Sequence, residues 1–107
     1  KPVLAPAYDL LSTAIYPELT TKMAMYIGSS KEAEWVNAKD WQLFCQETEL
    51  SFAWFKKEFI KLAHALPDQL QTTILHSNLT KEESVWAKKL LDLCAKNSKE
   101  LIHRLEL

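Results

Sequence analysis

From Asn37 to the end of the chain, apolar residues recur at three- and four-residue spacing, and this period restricts most of the chain to helices packing one face inward. Asn37 and Asp40 form a capping pair ahead of Trp41, Phe44 and Cys45, whose stripe runs to about Thr48. Ser51 caps the next helix, where Phe52, Phe55, Phe59, Ile60, Ala63 and Leu66 share a face opposite Lys56, Lys57, Glu58 and Lys61. Pro67 lacks a backbone donor, so it ends or kinks that helix, and a further helix is expected with Pro67 as its first residue. Thr80 and Glu83 make a capping box for a long last helix, striped by Val85, Trp86, Leu90, Leu93, Cys94, Asn97, Leu101 and Leu105.

The first 36 residues read differently. Lys22 to Ile27 is a short apolar run stopped by Gly28-Ser29-Ser30, which reads as a strand ending in a turn. Val3 to Ala5 is its expected partner, and because an isolated hairpin is marginal in water, further partners are expected upstream. The chain thus reads as one mainly α domain over residues 1–107. An extended portion (1–36) precedes a bundle of about four helices (37–107).

Composition excludes several functions. Thirteen basic residues against 14 acidic ones give no positive field for a nucleic-acid backbone. The longest apolar runs fall far short of the roughly 20 residues that span a bilayer. Gly28 is the only glycine, which removes any P-loop or dinucleotide fingerprint. Cys45 and Cys94 lie in amphipathic patterns without metal spacing and read as buried free thiols, suited to a reducing cytoplasm. His64, His76 and His103 form no pair at ligand spacing and read as surface or core-edge residues. Trp41, Trp54 and Trp86 belong to helical stripes and read as core, which leaves Trp35 without an assigned place. The Lys56-Lys57 and Lys88-Lys89 pairs read as solvated faces.

The candidate for chemistry is Asp9, which follows the apolar run Val3-Leu4-Ala5 and Pro6. An acid in that place serves as a turn former or helix cap, or as an oxygen ligand for Mg²⁺. Tyr8 beside it either fills core or packs a planar base.

Leu4-Ala5-Pro6-Ala7-Tyr8-Asp9-Leu10-Leu11, continuing through Tyr16-Pro17 and Lys22-Met23-Ala24-Met25-Tyr26-Ile27-Gly28, resembles the carboxy-terminal part of HipA-like protein kinases. The specific match covers about the first 28 residues; the later helices agree in kind. The resemblance implies that Asp9 takes the role of the metal-binding Asp of ordinary kinases and holds Mg²⁺, and that Tyr8 lines the nucleotide pocket. It implies a parent serine/threonine kinase using Mg·ATP, a bacterial toxin of a toxin–antitoxin pair, with a helix-turn-helix antitoxin and an aminoacyl-tRNA synthetase as partners. The family's phosphate loop, ATP-contacting lysine and His-x-Asn-x-Asp-type catalytic loop have no counterpart here and are expected upstream, so the chain alone is expected to be inactive. The rival expectation is a non-catalytic helical module that docks a protein through an exposed part of the Phe52 to Leu66 stripe. A small metal-binding protein is a weaker third reading.

Overall fold

The computed structural model describes residues 2–7 and 12–106. Its order is a 3-10 turn at Thr13–Ile15, strand β1 (Lys22–Ile27), strand β2 (Ser30–Glu32), a second 3-10 turn at Ala33–Trp35, and helices α1 (Ala38–Glu47), α2 (Phe52–Leu75) and α3 (Lys81–Glu106). The fold is mainly α, as the periodicity predicts, but it has three α-helices among the described residues and not four.

The difference lies at Pro67, which sits inside a continuous 24-residue α2. Proline withholds one helical hydrogen bond and crowds the preceding turn, at a cost of about 3 kcal/mol. The packing of α2 against α3 offsets that cost.

Each helix start is fixed locally. Asn37 Oδ1 accepts from the Asp40 amide at 3.0 Å and Asp40 Oδ2 accepts from the Asn37 amide at 3.1 Å, a reciprocal box. Ser51 Oγ accepts from the Trp54 amide at 3.3 Å. Thr80 and Glu83 repeat the box on α3, at 3.0 and 3.1 Å. Helix α1 ends with Glu49 in the left-handed region (φ 60°), and the Leu50 amide returns to the Cys45 carbonyl at 2.8 Å. This closing turn is usually built on glycine.

β1 and β2 form a two-stranded antiparallel hairpin, with Ile27 opposite Ser30 and Lys22 opposite Glu32. The partner of β1 is therefore β2. Val3 and Leu4 are 88% and 97% exposed, and residues 2–7 form no strand, contrary to the expected pairing of Val3 to Ala5. Without a buried face or a ladder to join, so short a run has nothing to offset the entropy of ordering it.

The core joins both portions of the chain. Val36, Trp41 and Leu105 are buried together, and Met23 and Ile27 of the hairpin pack on them with Phe52, Phe55, Phe59 and Leu101. The Trp41 ring centre lies 5.7, 5.1 and 5.0 Å from those of Phe44, Phe55 and Phe59, within the range of favourable aromatic pairs. Trp54 and Trp86, expected in the core, are 56% and 46% exposed. Trp54 lies in the first turn of α2, and Trp86 packs on Tyr16 instead, with ring centres 6.1 Å apart. Cys45 is buried and Cys94 half-buried, and both are free thiols.

Candidate functional site

Tyr8 and Asp9, the residues expected to carry nucleotide and Mg²⁺ chemistry, lie outside the described residues. The chain is described again from Ser12. The 3-10 turn at Thr13–Ile15 leads into Tyr16, which stacks on Trp86 of α3, and Lys89 covers the Trp86 ring with its ammonium 4.7 Å from the ring centre.

That anchoring leaves a groove between the amino-terminal turn, α2 and α3. Its volume is about 570 Å³, and Tyr16, Leu19, Phe59, Leu62, Leu66 and Leu93 supply its apolar lining. Leu62 and Leu66 are 56% and 49% exposed, so the outer half of the α2 stripe faces this opening and not the core. Glu100 and Arg104 stand at its polar edge, paired at 3.2 Å. Arg104 also donates to the Ala33 carbonyl at 3.2 Å, tying the end of α3 to the second 3-10 turn.

On the far side of that link, a shallower cleft of about 420 Å³ is lined by Glu34, Trp35, Lys96, Glu100, His103 and Arg104. Trp35 is exposed there. The charges of this cleft balance, so it presents no net field to a charged ligand.

The most constrained polar group is Asp40, which is buried in the first turn of α1. Its Oδ1 accepts from the Ser29 amide at 2.8 Å and the Ser29 hydroxyl at 2.9 Å. Its Oδ2 accepts from the Ser30 hydroxyl at 2.9 Å and the Asn37 amide at 3.1 Å. Burial pushes this carboxyl up, but the Ser29 and Asn37 amides and the two serine hydroxyls outweigh it and hold it below its ordinary value. The role is structural: every acceptor position faces a donor of the chain, which leaves no lone pair directed at a ligand. The sequence shows the local Asn37–Asp40 box. It gives no sign of the hairpin serines beyond their placement in a turn.

The other titratable groups are dispersed. Burial pushes the Cys45 thiol up, away from reactivity. His76 Nδ1 lies 2.8 Å from the Thr72 carbonyl at the end of α2, while His64 and His103 are exposed on separate helices. Among the described residues, no three His, Cys, Asp or Glu side chains converge as a metal site. No described helix is long and apolar enough to cross a membrane.

No protein-family model matches the chain, and no solved structure matches it. Among curated proteins it is similar to one named putative kinase Y4mE from Sinorhizobium fredii, with 39% identity over 61 residues. The matched stretch is 57% of this chain and 14% of that protein, so the chain corresponds to a small part of its relative. The chain is thus related over more than half its length to a protein named as a kinase.

Proposed function

We propose that the chain is the helical carboxy-terminal part of a HipA-like serine/threonine kinase that transfers phosphate from Mg·ATP to a protein hydroxyl. The observation that carries this reading is the similarity to a protein named as a kinase. The Tyr8-Asp9 segment and the Lys22 to Gly28 strand and turn add the HipA-like resemblance. A mainly helical fold entered through a short hairpin agrees with it.

In this reading Asp9 is a Mg²⁺ ligand and Tyr8 lines the nucleotide pocket. Magnesium commonly takes one or two carboxylates and completes its shell with substrate phosphates and water, so a single Asp suits it. When bound, the ion offsets charge developing on the transferred phosphoryl group. The phosphate loop and catalytic loop would come from chain beyond these residues, and the 107-residue chain alone would be inactive. The parent would be a cytoplasmic bacterial toxin, with a helix-turn-helix antitoxin and an aminoacyl-tRNA synthetase as partners.

The test is phosphoryl transfer by the full-length parent carrying Asp9→Ala. Loss by at least about a hundredfold with unchanged thermal melting is expected, because a ligand and not a packing residue is removed. Activity near that of the wild type would defeat the assignment.

A non-catalytic docking module is the second reading. The exposure of Trp54, Leu62 and Leu66 on one helix favours it.

A further inference from the structure

We infer that β1, β2 and their turn form a hinged flap, fixed at its base to α3 and latched at its tip to α1 by the Asp40 carboxylate, which opens as a unit while the helices stay packed. The inference goes beyond the kinase reading and does not depend on it.

The base is held on both sides. Before β1, the Tyr16 ring stacks on Trp86 of α3, with ring centres 6.1 Å apart. After β2, the Ala33 carbonyl accepts from Arg104 of α3 at 3.2 Å. The chain between Tyr16 and Ala33 thus leaves α3 and returns to it. Its far end is the turn at Gly28-Ser29, where Asp40 Oδ1 accepts from the Ser29 amide and hydroxyl at 2.8 and 2.9 Å and Oδ2 from the Ser30 hydroxyl at 2.9 Å. Among the described residues, every hydrogen bond from the two strands and their turn to an α-helix ends on this carboxylate.

Little else secures the flap. Met23 and Ile27 of β1 pack on the core, while Met25 and Tyr26 are 77% and 63% exposed. A two-stranded hairpin is at best marginal in water, so β1 and β2 keep their ladder only while docked. Elements with few buried apolar contacts open at lower free energy than the core they rest on. The donors are not stranded by opening. Ser29 is exposed and passes to water, and the Ser30 hydroxyl lies 3.3 Å from a second acceptor, the Trp35 carbonyl. Lys22, Met23, Glu32 and Ala33 line the groove beside α2 and α3, so a lifted flap widens that groove. It also uncovers the side of the Val36, Trp41 and Leu105 cluster on which Met23 and Ile27 pack.

Native-state amide exchange of the 107-residue chain, followed residue by residue in sub-denaturing urea, tests the proposal. Exchange in residues 22–32 should depend weakly on urea, as local opening does, and exchange in the middle of α3 steeply, as global unfolding does. Ser29→Ala combined with Ser30→Ala leaves the Asn37–Asp40 box in place and should speed exchange in residues 22–32 at least about tenfold. Ile74→Ala, at the far end of α2 and outside the groove, should speed exchange in α3 at least about threefold and leave residues 22–32 unchanged. Equal urea slopes in residues 22–32 and α3 would overturn the proposal, as would exchange in residues 22–32 that the double serine variant leaves unchanged while keeping its helical circular dichroism.

Discussion

Gly28 lies so close to the first turn of α1 that a Cβ on it would stand 2.5 Å from the Cα of Asp40. The two residues define how the hairpin meets the helices. Gly28 adopts φ 60°, and the turn it makes presents Ser29 and Ser30 to the Asp40 carboxylate. A left-handed backbone and a close approach are thus required at one position, which glycine alone meets without strain.

Gly28→Ala is therefore expected to destabilise the chain by about 2 to 4 kcal/mol, combining the left-handed penalty with displacement of α1 backbone. Urea unfolding checks it. A loss below about 0.5 kcal/mol would show that the hairpin lifts off α1 without consequence.

Asp40 gives the fold an acid dependence. Its folded-state pKa lies below the ordinary 3.8, so its contribution is fully present above that value and fades as pH falls through the depressed pKa. Asp40→Asn should flatten the stability profile below about pH 4, leaving Glu83 as the other carboxylate held low among the described residues, through the Thr80 amide and hydroxyl. At neutral pH the same variant should cost about 1 to 3 kcal/mol, because an amide donor replaces one carboxylate oxygen facing donors. A parallel, vertically shifted pH profile would assign the acid sensitivity elsewhere.

The aromatic cluster separates the buried from the exposed part of the helical stripes. Phe59→Ala should cost about 2 to 4 kcal/mol, somewhat under a fully buried phenylalanine because the ring is half-buried against Trp41. Trp54→Ala should fall within about 0.5 kcal/mol. Equal losses in thermal melting would place Trp54 in the core after all.

Pro67→Ala restores the amide that can donate to the Ala63 carbonyl and removes the ring from the preceding turn. Some of that gain is lost because alanine frees the unfolded chain. A net stabilisation of about 1 to 2 kcal/mol is expected by thermal denaturation. A loss would mean that α2 requires the proline for its course along α3.

Helix starts were legible in the sequence because capping is settled within four residues. Asn37 with Asp40, Ser51 with Trp54, and Thr80 with Glu83 each carry donor and acceptor in one turn of chain. The strand at Lys22 and the stop at Gly28 were equally local. The continuity of α2 through Pro67 was not, since the local cost of proline is visible in the sequence while the packing of α3 that offsets it is not. Periodicity likewise placed Trp41, Trp54 and Trp86 on apolar stripes, but which part of a stripe is covered depends on where the neighbouring helix stops.

The candidate site divides along the same line. Tyr8 and Asp9 stand out by their place after an apolar run and Pro6 and by a resemblance that runs along the chain, and they lie outside the described residues. The groove draws on four separate stretches of chain, so no local pattern announces it. By itself, the sequence determined a mainly α chain with capped helices and a glycine-stopped hairpin, because those features depend on neighbours a few residues apart. Tertiary structure alone decided that Asp40 would hold serines 10 and 11 residues away, that Arg104 would reach Ala33 across 71 residues, and that Leu62 and Leu66 would remain uncovered. These outcomes depend on which surfaces meet once the helices pack, and hydrophobic burial is non-directional until shape selects the partner.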